Sequence, residues 1–191
     1  LHSFLVSYAE TPALLNLQIT EGRHTADAIQ LSPGQVNHPL LQQHAQTAAI
    51  TLQKIKGVRK RMFGIHFQLD GLLIHDDILY CRLRIENHSP ISYDINGIRF
   101  FIRDRQKVRR TATQEIEVPS LATQNFSEKI PGGTGRTMVF AFHKLTLPWN
   151  QYLTIQLSEK NGGRHLALRI SNHTITKATF LQERSIPFNQ P

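Results

Sequence analysis

RLRIENHSPISYDINGIRFFIRDRQKVRRTATQEIE, residues 82–117, is the stretch whose reading decides the fold. Apolar residues recur at every second position: Leu83 and Ile85 oppose Arg82 and Arg84, while Ile98, Phe100 and Ile102 oppose Arg99 and Arg103. A period of two is the side-chain alternation of a strand with one face on a core and one in water. The polar turn Asn87-His88-Ser89-Pro90 separates two such strands. A basic turn around Asp104-Arg105-Gln106 then leads to a third.

The same period extends outward in both directions. Phe63, Ile65, Phe67 and Leu69 form one face, as do Leu79 and Cys81, Leu153 to Leu157, and Leu166 to Ile170. Met138 to Phe142 is apolar on both faces, which suits a central strand or one covered by a helix. Turns are expected at Asp76-Asp77, Pro131-Gly132-Gly133 and Asn161-Gly162-Gly163, the last a hairpin because Asn and Gly tolerate positive φ. About seven strands in this pattern predict a mostly-β protein, an Ig-like β-sandwich. Its expected shared core is Phe63, Phe67, Leu79, Cys81, Leu83, Phe100, Ile102, Phe140, Ile155 and Leu168.

The first third reads differently. Strands are expected over Leu1–Tyr8 and Pro12–Ile19, then loop to Asn37. From Leu40 to Ile55 the apolar residues recur at steps of three and four, one amphipathic connecting helix with Pro39 at its start and Gly57 as its stop. The domain reading is therefore 1–57 as the end of an N-terminal β module plus this helix, and 58–191 as the C-terminal β-sandwich. Residues 174–184 suit either a last strand or a short helix.

Composition narrows the classes. The 191 residues are 40% hydrophobic, with a mean hydropathy of −0.30, as in globular chains. The longest apolar run, Met138 to Phe142, is far short of the ~18 residues of a membrane span. The opening residues show no signal-peptide pattern and read as a strand entered midway, as in a trimmed piece of a longer protein. The single cysteine, Cys81, excludes an internal disulfide and sits on an apolar strand face.

No catalytic or nucleotide-binding motif is present, and Pro131-Gly-Gly-Thr-Gly135 lacks the lysine and helix of a phosphate cradle. The ten histidines are scattered, with no pair four residues apart beside a third ligand. The expectation is no enzyme, no catalytic residues, no metal and no cofactor. Charge is the remaining signal. Between residues 82 and 110 eight basic side chains face three acidic ones, a surplus of five within a net charge of +8. Arg99, Arg103, Arg105, Arg109 and Arg110 are expected to dock an acidic partner surface, with pairing such as Arg103 to Glu115 as the bland reading. The alternative is a nucleic-acid-binding module contacting DNA through this face, since Tyr80 lies near Arg82 and Phe101 between Arg99 and Arg103. A second basic run, Lys54, Lys56, Arg59, Lys60 and Arg61, reads as a solvated helix end, with an anchor for an acidic partner as the functional alternative.

Residues 89–121 and 138–172 together resemble the TraN family of conjugative transposons of the Bacteroides group. The resemblance rests on an N-x-S-x-x-x-Y-D-I core (Asn87, Ser89, Tyr93, Asp94, Ile95), an R-F-x-I-x-D segment (Arg99, Phe100, Ile102, Asp104), and R-T-A-x-Q-E (Arg110 to Glu115, with Gln114). It continues in K-x-T-L-P (Lys144 to Pro148) and in the E-K-N-G-G-R hairpin, Glu159 to Arg164 with Asn161, Gly162 and Gly163. Pro90 and Ile91 depart from the pattern. The resemblance implies an exported, periplasmic, outer-membrane-associated part of a type IV secretion-like channel for DNA transfer. It also implies other channel subunits as partners, self-association in a ring and no small-molecule substrate, and the short apolar runs add the expectation of no transmembrane segment.

Overall fold

Alternation becomes a sheet only through pairing. The computed structural model describes residues 38–51, 55–105 and 115–182. They form α1 (His38–Ile50), β1 (Arg59–Met62), β2 (Ile65–His75), β3 (Ile78–Asn87), β4 (Tyr93–Asp104), β5 (Glu115–Glu117) and β6 (Ala122–Gln124). There follow β7 (Lys129–Ile130), β8 (Thr134–His143), β9 (Gln151–Glu159), β10 (Leu166–Ile170), α2 (Asn172–Ile175) and β11 (Thr179–Phe180). The expectations for Leu1–Tyr8 and Pro12–Ile19, and for Lys54, Lys107, Arg109, Arg110 and Gln114, lie outside the described residues.

The first sheet runs β1-β2-β3-β8-β6, with β11 lying parallel along the end of β2. The second runs β10-β9-β4-β5, with β7 pairing the start of β4. The chain is thus mostly β, two sheets whose antiparallel strands enclose one core, as a β-sandwich does. More strands form than the seven or so expected, because several are only two to four residues long.

Inward-facing residues of both sheets fill the core: Phe67, Leu83, Cys81 and Phe140 from the first, Phe100, Ile155 and Leu168 from the second. Phe100 bridges the layers, its ring centroid 5.1 Å from Phe140 and 4.5 Å from Phe142. Burial pushes the Cys81 thiol up, so it stays protonated. Ile102 packs at the margin of this core. Phe63 does not join it. It sits with Gly64 in the tight turn between β1 and β2 at φ 56° and is 48% exposed. The turn needs left-handed backbone there, and that rotation takes the ring off the strand face.

A second layer covers the outer face of the first sheet. Leu41, Ala45 and Ala48 of α1 pack on Leu73, Tyr80, Val139 and Ala141. This explains why Met138–Phe142 is apolar on both faces: Met138, Phe140 and Phe142 meet the core, and Val139 and Ala141 meet the helix. The helix read as a connector therefore lies on the sandwich itself. It also ends at Ile50, before Gly57, and Ile55 lies outside it, donating its N–H to the Asp70 carbonyl at 3.1 Å.

Asp70 is the extra residue of a bulge in β2, where pairing skips between Leu69 and Gly71. The bulge lets Leu69 and Leu72 both face the core although three positions apart. It also turns the Asp70 carboxylate onto Arg82, whose Nε and Nη2 donate to Oδ2 at 2.9 and 2.6 Å. Residues 174–184 are read above as strand or helix. Their described part, to Gln182, holds both, the end of α2 and then β11.

Candidate functional site

The arginine face comes first, because the charge surplus pointed there. Arg99 and Arg103 project together from the outer face of β4 with Phe101 between them. The Arg99 Nε donates to Glu117 Oε1 at 2.9 Å and its Nη2 to Oε2 at 2.6 Å. Arg103 Nη2 donates to Glu115 Oε2 at 3.1 Å. Both guanidiniums lie over the Phe101 ring, 5.0 and 5.5 Å from its centroid, and leave that ring 8% exposed. The pair is thus a roof over a phenyl ring, fastened to β5 by two carboxylates. Hydrogen bonds from Arg99 hold the Glu117 carboxyl below its ordinary range and raise Arg99 in turn.

Among the described residues, pairing engages most of the basic side chains of this window. Five of the eight basic residues of the window are described. Arg82 meets Asp70, Arg84 meets Glu86, and Arg99 and Arg103 meet Glu117 and Glu115. Arg105 is exposed and, with Arg103, Tyr152 and Arg169, lines a groove of about 730 Å³. The aromatic platforms expected for nucleic acid are not open faces: Tyr80 is covered by α1, and Phe101 by its own arginines. Asp104 accepts from Gln151 at 3.2 Å.

At the other end of β4 the residues that carry the resemblance come together. Asn87, buried at the end of β3, donates from Nδ2 to the carbonyls of Ile91 and Ile130 at 2.8 and 3.0 Å. Its Oδ1 accepts from the Ser89 N–H and hydroxyl at 3.0 and 2.7 Å. The buried Tyr93 donates its hydroxyl to the Arg164 carbonyl at 2.6 Å. Arg164 spends its donors on three segments: Nη1 on Ser89 Oγ at 3.2 Å, Nη2 on the Ser92 carbonyl at 2.6 Å, and Nε on Glu159 Oε1 at 2.8 Å. Its Nη2 also meets Glu159 Oε1, and its backbone N–H reaches Oε2 at 3.1 Å. The guanidinium lies 5.1 Å from the Tyr93 ring centroid.

Two glycines make this closeness feasible. A Cβ on Gly132 would stand 2.5 Å from the Ser89 carbonyl oxygen and 2.9 Å from that of Pro90, both backbone atoms that cannot step aside. A Cβ on Gly162, in the hairpin turn, would strike the Glu159 carboxylate that Arg164 holds in place. The lock therefore joins the end of the first sheet (Asn87) to β4, β7 and the β9–β10 hairpin of the second. Its electrostatics follow from its bonds. The Arg164 hydrogen bond holds the Glu159 carboxyl below its usual range, Glu159 raises Arg164 by the same bond, and burial pushes the Tyr93 phenol up.

Beside the lock opens a groove of about 790 Å³, lined by Asp94, Glu128, Lys129, Lys160 and Arg164, with Ile91 and Phe126 among its walls. Ile91 is 68% exposed and Phe126 47%, two large apolar side chains that present much of their surface to solvent. The Lys129 ammonium lies 3.6 Å from Asp94 on the rim.

One constellation was missed in the sequence. His66, Glu86 and His88 bring three donor atoms within 4.8 Å of one another and can hold a metal. A search for histidines four apart assumes a helix, whereas Glu86 and His88 are two apart on extended chain and His66 comes from the neighbouring strand. Only the spacing of two was visible beforehand. The buried Asp70–Arg82 pair was missed likewise, since nothing local marks the bulge.

A family model described as a domain of unknown function (DUF4138) matches residues 40–180, and the chain belongs to that family. No curated protein and no solved structure is similar enough to this chain to register as a match.

Proposed function

We propose that this member of the DUF4138 family is a non-enzymatic structural component of a conjugative, type IV secretion-like DNA-transfer channel, and that it docks other channel subunits. On this reading it is exported, sits in the periplasm against the outer membrane, and associates with copies of itself in a ring. The TraN resemblance motivates the channel. Among the described residues no helix is long and apolar enough to cross a membrane, which is compatible with that placement.

The observation that carries the docking role is the fate of the resembling positions. Asn87, Ser89, Tyr93, Glu159 and Arg164 spend their polar groups on one another and on backbone carbonyls. A saturated cluster of this kind keeps a surface in one shape and leaves few polar groups free for acid–base work. The surface it shapes places exposed Ile91 and Phe126 inside a charged rim, which is the composition of an interface centre.

The test is recovery of partner subunits with the full-length protein from envelopes of mating-competent cells. Changing Ile91 and Phe126 together to Asp is expected to abolish co-purification and lower transfer while melting stays unchanged. Normal transfer by the folded double variant overturns the docking role. A second reading, DNA contact, looks to the groove where Arg105 and Arg169 stand beside Tyr152, although Asp104 and Glu115 also line it and Glu115 pairs with Arg103. It requires binding that falls steeply with salt, whereas an apolar interface tolerates salt.

A further inference from the structure

We propose that His66, Glu86 and His88 bind one divalent transition-metal ion of the zinc class on the outer face of the first sheet. His66 and Glu86 are direct partners in the β2–β3 register, so their side chains stand side by side. His88 follows Glu86 by two residues, which brings its side chain back to the same face. As a result His66 Nδ1 lies 3.8 Å, and His88 Nε2 3.4 Å, from the same carboxylate oxygen, Glu86 Oε2. Bonds of about 2.0–2.2 Å at tetrahedral angles place donors roughly 3.3–3.6 Å apart, so both separations are close to what the ion needs. The exposed His88 ring, its centroid 4.1 Å from that of His66, supplies the remaining adjustment by turning.

The surroundings hold the ligands for this use. Arg84 Nε takes the other oxygen, Glu86 Oε1, at 2.8 Å and leaves Oε2 as a single-point ligand. The His88 N–H donates to the Gly64 carbonyl at 2.7 Å, which fixes the backbone from which the ring projects. Two imidazoles and one carboxylate suit zinc, copper or nickel, whereas calcium and magnesium take oxygen ligands. With Arg61 and Arg84 beside a single carboxylate, attraction by charge alone is weak, so the imidazole nitrogens must supply the binding. Three protein ligands leave coordination positions open to water or to a donor from another molecule.

The test uses the whole chain, stripped with chelator, titrated with zinc chloride by calorimetry and with cobalt chloride by visible absorption. One ion per chain is expected, with the intense cobalt bands of low coordination. His66→Ala, His88→Ala and Glu86→Gln should each weaken binding about tenfold or more, as loss of a ligand or its support does. His173→Ala, at an exposed histidine on α2, should leave binding unchanged, and zinc should raise melting of the wild type but not of the triple variant. Absence of binding by the wild type overturns the proposal. So does a His66→Ala/His88→Ala double variant that keeps wild-type stoichiometry and affinity, which would mark the binding as adventitious histidine contact. Should His66→Ala not fold, His88→Ala and Glu86→Gln carry the same decision.

Discussion

The two ends of β4 carry arginine–carboxylate pairs of nearly identical chemistry and opposite character. At the Asp104 end, Arg99 and Arg103 reach across one strand boundary to Glu117 and Glu115, whose side chains are 46% and 43% exposed. At the Tyr93 end, Arg164 and Glu159 are 18% and 10% exposed, and the arginine also binds Ser89 and Ser92. The first is a surface ladder shielding one ring. The second is a junction through which both sheets are fastened. Charge count in the sequence favours the ladder, but burial and the number of satisfied donors decide which pair matters.

The core beneath the ladder gives the largest expected effect and the reference for the rest. Phe100→Ala should cost ~3–5 kcal/mol in urea unfolding, because Phe100 touches rings of the opposite sheet. A loss under ~1 kcal/mol would mean that β4 has its faces reversed.

Arg164→Ala comes next, at roughly 2–4 kcal/mol, less than for a fully buried pair because both side chains keep some water. If it costs no more than a ladder variant, the contrast between the two ends is wrong. Tyr93→Phe removes one hydroxyl from the same junction and leaves the Arg164 carbonyl without its partner, a loss of about 1–2 kcal/mol.

Acid separates the junction further. The Glu159 carboxyl titrates in the fold below its ordinary 4.5, so the folded state prefers it ionised. Its contribution is complete above that value and disappears as pH falls through the lower folded value. Arg164, His165 and Tyr93 are the charged or titratable groups around it. Glu86 and Glu117 shift in the same direction, so the readout is the difference between wild type and Glu159→Gln. That difference should shrink as pH falls from neutral through the ordinary carboxylate range and below it, because ionisation then favours the folded state less and less. A constant difference would show that Glu159 acts through shape, not charge.

The smallest effect belongs to the ladder. Arg103→Ala should change stability by only ~0–1 kcal/mol, measured by the urea midpoint at low and high salt. A loss as large as that of Arg164→Ala would make the ladder a structural element of equal rank.

The core-facing residues of β3, β4, β9 and β10 were legible, since alternation follows from the geometry of an extended chain; the opposite face of β3 was not, because Tyr80 lies under α1 and Arg82 is buried on Asp70 where water was expected. Phe67, Leu83, Phe100, Ile155 and Leu168 point inward as their spacing requires. The hairpin at Asn161-Gly162-Gly163 was legible for the same local reason, and Asn161 takes φ 53°. Phe63 and Asp70 were not, because a tight turn and a bulge break the period without announcing it. The sequence by itself therefore determined the core-facing positions of the regular strands and the hairpin turn at Asn161-Gly162-Gly163. The Arg103–Glu115 pair could be named from the sequence as partners across the basic turn, but only the tertiary structure decided the longer-range meetings. Arg164 finds Ser92 across 72 positions, and His66 finds Glu86 across a strand boundary. Such pairings depend on register and sheet order, which no local spacing encodes.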